Sequence, residues 1–76
     1  MEYETDSDES ISRAVVTITS RVENTAINDL PPLYESIDPD KLDAMFAKQG
    51  QVHVSFSYSD SLIDIYNGEY LRAETT

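Results

Sequence analysis

The chain has no cysteine, no tryptophan, one histidine, two glycines and five basic residues among 76. Each shortage closes a class of chemistry. Without cysteine, neither a disulfide framework nor a thiolate metal site can staple so short a domain. His53 alone cannot build a histidine-based metal site. Gly50 and Gly68 stand far apart, so no glycine-rich loop can cradle a phosphate. Arg13, Arg21, Lys41, Lys48 and Arg72 are scattered and form no basic footprint, so nucleic acid is not an expected ligand. No apolar run approaches the roughly 18 to 20 residues that cross a bilayer. The opening MEYETDSDES lacks the basic start and apolar centre of a signal peptide. A cytoplasmic protein, independent of membranes, is the expectation.

What the chain does have is negative charge. Fifteen Asp and Glu outnumber the bases to give a formal net charge of −10. Glu2, Glu4, Asp6, Asp8 and Glu9 crowd the first ten residues, but the excess persists beyond them. Such self-repulsion costs stability in dilute buffer and little where salt screens it, the Debye length being about 3 Å at 1 M. A salt-rich cytoplasm explains this balance better than an acidic surface made for a basic partner.

Residues 1 to 9 show no apolar period and read as a disordered acidic tail, and 74 to 76 as a second short tail. The domain lies between them, from 10 to 73. Ile11, Ala14, Val15, Ile18 and Val22 follow one face of a helix that Ser10 can cap. The polar stretch NTAINDL follows, with Ile27 and Leu30 turned inward. Pro32 can begin a helical turn in PPLYESI, and both prolines separate that turn from the first helix. Asp38 fits an N-cap with Pro39 at the first helical position. Ile37 and Leu42 have the spacing of a hydrophobic staple. A helix from 39 to 48 then buries Leu42, Met45 and Phe46, and Gly50 ends it.

After Gly50 the period changes from 3.6 to 2. Val52, Val54, Phe56 and Tyr58 point one way; His53, Ser55 and Ser57 point the other. Strands are expected at 51–58, 62–66 and 69–73, joined by turns at Ser59-Asp60 and Asn67-Gly68. The fold class is therefore α+β: two helices and a short helical turn on one face of a three-stranded antiparallel meander.

Catalytic and metal sites find little support. His53 shares a strand face with Ser55 and Ser57, yet nothing resembling a nucleophile elbow surrounds either serine. Asp38, Asp40 and Asp43 lack the glycine turn and terminal glutamate of a calcium loop. No catalytic residue, metal or cofactor is expected. A two-residue Asn67-Gly68 turn would set Ile65 opposite Tyr70 and Asp64 opposite Leu71. Leu62, Tyr66, Leu71 and His53 would then share the face away from the helices, where they could dock a protein partner or a second copy of the chain. The alternative is a small enzyme or ligand-binding domain using His53 and nearby carboxylates.

The run LPPLYESIDPDKLDAMF followed by VHVSFSYSDSLIDIYNG resembles the haloarchaeal (halobacterial) output domain 1 family, and SISRAVVTITSRVENT looks like that family's first helix. Ser59-Asp60 stands where the family often has a glycine. The resemblance covers residues 10 to about 72. It implies a salt-loving archaeon and an output role in signalling, and it carries over no catalytic residues and no mechanism.

Overall fold

The computed structural model describes residues 1–6, 8–47 and 52–76. Strand β1 (Glu2–Glu4) precedes helix α1 (Ile11–Glu23), two 3₁₀ turns (Ile27–Asp29 and Leu33–Glu35) and helix α2 (Pro39–Ala47). Strands β2 (His53–Tyr58), β3 (Ser61–Tyr66) and β4 (Tyr70–Thr75) complete the chain. The α+β class holds, but the sheet has four antiparallel strands in the order β1-β4-β3-β2. The expected ends of the second helix at Lys48 and of the first strand at Gln51, and the stop at Gly50, lie outside the described residues.

The fourth strand corrects the expectation of a disordered tail. Glu2, Tyr3 and Glu4 pair with Arg72, Leu71 and Tyr70. Tyr3 is the residue that holds the segment. It faces the helix side, where the Arg21 guanidinium lies 5.3 Å from its ring centroid. Its hydroxyl donates to the Glu9 carboxylate at 2.6 and 2.8 Å. One inward aromatic thus outweighs the disorder that composition favours, while Glu2 and Glu4 leave the β1 edge charged against further pairing.

Helix α1 forms because its ends are satisfied as well as its face. Ser10 is extended and its hydroxyl accepts from the Arg13 N–H at 3.2 Å. At the other end Asn24 takes the left-handed conformation (φ 51°), and Thr25 and Asn24 donate back to Ser20 and Arg21. Ile11, Ala14, Val15, Ile18 and Thr19 are buried. The hydroxyl of Thr19 is satisfied by the Val15 carbonyl at 2.7 Å. In α2, the Asp38 carboxylate accepts from the Asp40 and Lys41 N–H groups at 3.0 and 3.4 Å. Leu42 is fully buried, and Ile37 packs against the same core.

The core joins the helix face to Tyr58, Ile63, Ile65, Leu71 and Ala73 of the sheet. Burial of each such Ile or Leu contributes about 1.5 to 3 kcal/mol. Helix α1 lies over β4, with smaller contacts to β1 and β3, and α2 packs beside α1. Val54 and Phe56 on β2 are therefore only half-buried. Two expected core residues are not in it: Met45 is 39% exposed and Ile27 53% exposed. The proline run is tied down by Tyr58, whose hydroxyl donates to the Pro31 carbonyl at 2.6 Å, and by the burial of Leu33.

Candidate interaction site on the open face of the sheet

The face of the sheet away from the helices is laid out by strand register. Ser59 takes a positive φ (55°), and Tyr58 pairs with Ser61 across a two-residue turn. His53 then pairs with Tyr66, Ser55 with Asp64 and Ser57 with Leu62. At the second hairpin the register differs from the expectation. Asn67 and Gly68 both have positive φ (57° and 70°), and the Glu69 N–H closes the turn on the Tyr66 carbonyl at 3.1 Å. Yet the ladder resumes with Tyr66 opposite Tyr70 and Ile65 opposite Leu71, leaving Glu69 as an extra residue.

A slip of one residue turns every side chain of β4 over. Leu71, expected outward, is fully buried under the helices, and Tyr70, expected inward, comes to the open face. The physical reason is Arg72. A two-residue loop would aim Tyr70 and Arg72 at the helices and leave Leu71 and Ala73 in water. The observed register buries Leu71 and Ala73 and leaves Arg72 exposed. The alternation in LRA was the signal that could have revealed it. Gly68 also fits a tight place, because a Cβ there would lie 3.1 Å from the Cβ of Phe46 in α2.

Three cross-strand rows result. The first runs Glu4, Tyr70, Tyr66, His53; the second Glu2, Arg72, Asp64, Ser55; the third Glu74, Leu62, Ser57. In the first row His53 stacks on Tyr66 with ring centroids 4.4 Å apart and planes 9° from parallel. Tyr66 and Tyr70 lie 5.8 Å apart, tilted by 48°. The Asp64 carboxylate holds the ring edge of His53, with Nε2 and Oδ1 3.0 Å apart. Hydrogen bonding to Glu2 raises the pKa of Tyr70, and desolvation and the same negative charge add to it. Arg72 pairs with Glu74 on the exposed surface. Leu62 is 38% exposed.

The structure therefore brings His53, Tyr66 and Leu62 to one face and removes Leu71 from it. Pro32, Asp38, Pro39 and Leu42 lie in and around α2 and its approach, on the opposite layer. Asp38 and Asp43 are each bound to backbone N–H groups, so their carboxylates have structural partners. Ser55 and Ser57 are exposed on the open face. A concavity of about 760 Å³ lies between β1, the β3–β4 hairpin and α2. Its carboxylates include Glu9, which binds the Tyr3 hydroxyl, and Asp43, which binds Ser12. Among the described residues no helix is long and apolar enough to cross a membrane.

The sequence profile of the Halobacterial output domain 1 family matches residues 7–73, so β1 lies before the matched segment. No curated protein and no solved structure matches the chain.

Proposed function

The chain belongs to the Halobacterial output domain 1 family, and from that premise we propose that it is a non-enzymatic signalling module that docks a protein partner through the open face of its sheet. The observation that supports this reading is the aromatic row His53, Tyr66 and Tyr70, with Leu62 on the same face beyond the Asp64–Arg72 row. Stacked rings on an uncovered sheet face offer a large contact area at low entropic cost. Tyr66 is the central contact, with His53 stacked on one side and Tyr70 tilted against it on the other. Glu4, Glu2 and Asp64 border the row, which suits a partner surface with an arginine or lysine laid over the rings. The acidic surface suits a salt-rich cytoplasm, where long-range attraction is screened and close aromatic contact carries the affinity.

The test is capture of the partner from native cell extract at high salt, comparing the wild type with Tyr66→Ala combined with Tyr70→Ser. The double variant should keep its circular dichroism and lose the captured protein. Undiminished capture by a folded double variant refutes the docking face. The second reading, a small enzyme or ligand-binding domain, draws on the His53–Asp64 hydrogen bond. A metabolite that shifts the His53 ring resonances at stoichiometric concentration would favour it over the docking module.

A further inference from the structure

We infer that strand β2 is the contact edge of a homodimer, in which two copies pair β2 against β2 antiparallel and merge their sheets into one of eight strands. Strand β2 closes the sheet on the side opposite β1, and among the described residues no strand pairs with its outer side. Its backbone orientation follows from the hairpin. Val52 accepts from the Asn67 N–H at 2.7 Å, and Tyr58 faces Ser61 across the two-residue turn. Alternation then turns the even-numbered residues toward β3, and His53, Ser55 and Ser57 present their N–H and C=O groups outward.

The two edges of the sheet are treated differently by the sequence. On β1 the edge carries Glu2 and Glu4. Along the sequence through β2 no carboxylate occurs between Asp43 and Asp60, in a chain with fifteen of them. Nor does β2 carry the lysine or proline that blunts an open edge. No acid that would repel another copy stands on β2 itself, and the Asp64 carboxylate beside it is held by the His53 ring. A basic peptide would be drawn to other parts of the surface.

The pattern of β2 also complements itself. Pairing Ser55 with Ser55 of the second copy sets Val54 opposite Phe56 twice on the helix side, and His53 opposite Ser57 twice on the open face. Val54 and Phe56 are the half-buried pair that α1 does not cover, and this register covers them. The outward groups of residues 53, 55 and 57 form three narrow hydrogen-bonded pairs in the same register. A two-fold interface of this kind is isologous, so one strand supplies both halves. The inference stands apart from the docking reading, because the edge is used whether or not the open face binds anything.

Sedimentation and amide exchange on the full chain at high potassium chloride test it, across dilution from millimolar protein. The expected result is a dimer that dissociates on dilution, with exchange at His53, Ser55 and Ser57 slowed about tenfold or more only in the dimer. Ser55→Pro deletes an N–H that β3 does not use, so it should be monomeric with the β2–β3 hairpin intact. Ser55→Cys should cross-link the two copies on mild oxidation, since a narrow pair sets the Cα atoms about 5.5 Å apart, within disulfide range. Glu74→Cys on the open face should not. A chain that stays monomeric at millimolar concentration overturns the inference. So does a dimer that leaves exchange at residues 53, 55 and 57 unchanged, or one in which Ser55→Cys fails to cross-link.

Discussion

Asp43 caps a helix other than its own. Its Oδ1 accepts from the Ser12 N–H at 2.9 Å and its Oδ2 from the Ser12 hydroxyl at 3.0 Å, so a carboxylate of α2 closes the first turn of α1. The first N–H groups of a helix have no partner within it, and the positive end of its dipole favours an anion there. Asp43→Ala should therefore cost about 2 kcal/mol of unfolding free energy. Asp43→Asn keeps one acceptor and should cost about half as much. Denaturant unfolding at fixed high salt measures both. Equal stability of Asp43→Ala and wild type would mean that the cap is idle.

Glu23 makes the corresponding link at the other end of α1. Its carboxylate accepts from the hydroxyls of Ser59 and Ser61 at 2.8 and 2.6 Å, and from the Asp60 N–H at 3.2 Å. A glutamate in the last turn of a helix opposes the dipole, and three donors from the β2–β3 turn offset that cost. This contact also supports the positive φ of Ser59, where the sequence has no glycine. Glu23→Gln keeps one acceptor oxygen and should lose about 1 kcal/mol, and Glu23→Ala about 2 to 3 kcal/mol. Amide exchange at Asp60 and Ser61 should quicken in the alanine variant before the rest of the sheet responds.

Local periodicity and caps made the two helices and the β2–β3 hairpin legible. The apolar spacing of α1, the Asp38-Pro39 start of α2 and the alternation from Val52 to Tyr58 are each written within a few residues. What was not legible depends on contacts between distant segments. Strand β1 exists because Tyr3 meets Arg21 and Glu9, and nothing in MEYET by itself predicts a strand. Asn67-Gly68 taken alone implies a two-residue hairpin and the wrong β3–β4 register. The burial preferences of Leu71 and Arg72 decide the pairing, and with it whether Leu71 or Tyr70 belongs to the open face. The candidate site was therefore half legible: His53, Leu62 and Tyr66 from alternation, Tyr70 only from the slipped register.

Tyr58 links the proline run to the sheet and should make the fold sensitive to alkali. Its side chain is buried, its hydroxyl donates to Pro31, and burial followed by the nearby Glu23 charge raises its pKa above the ordinary value. Tyr3 is shifted the same way, first by its hydrogen bond to Glu9. A raised folded pKa means that the unfolded chain gives up the proton first. The stabilisation is complete below the unfolded value, about 10, and is lost as pH rises through the folded one. Stability should thus be flat from about pH 8 to 9 and fall above about pH 10. Tyr58→Phe should cost about 1 kcal/mol at neutral pH, because the Pro31 carbonyl loses its donor. The same variant should flatten the alkaline fall. Parallel alkaline slopes for wild type and Tyr58→Phe would show that this phenol does not govern it.

Salt should raise the melting temperature, and the reason can be separated from general salting-out. A formal charge of −10 on 76 residues repels itself, and potassium ions at molar concentration reduce that repulsion to the range of a few ångströms. Concentrated salts also strengthen apolar burial, which raises melting temperatures with no role for charge. Asp29 and Glu35, exposed in the two 3₁₀ turns, allow the two causes to be told apart. Asp29→Asn with Glu35→Gln removes two charges and leaves the core untouched. Self-repulsion grows with the square of the net charge, so the gain in melting temperature from low to molar potassium chloride should shrink by roughly a third. The variant should also melt higher than wild type at low salt and level with it at high salt. An unchanged gain would assign the salt effect to apolar burial and remove the charge-based argument for adaptation to high salt.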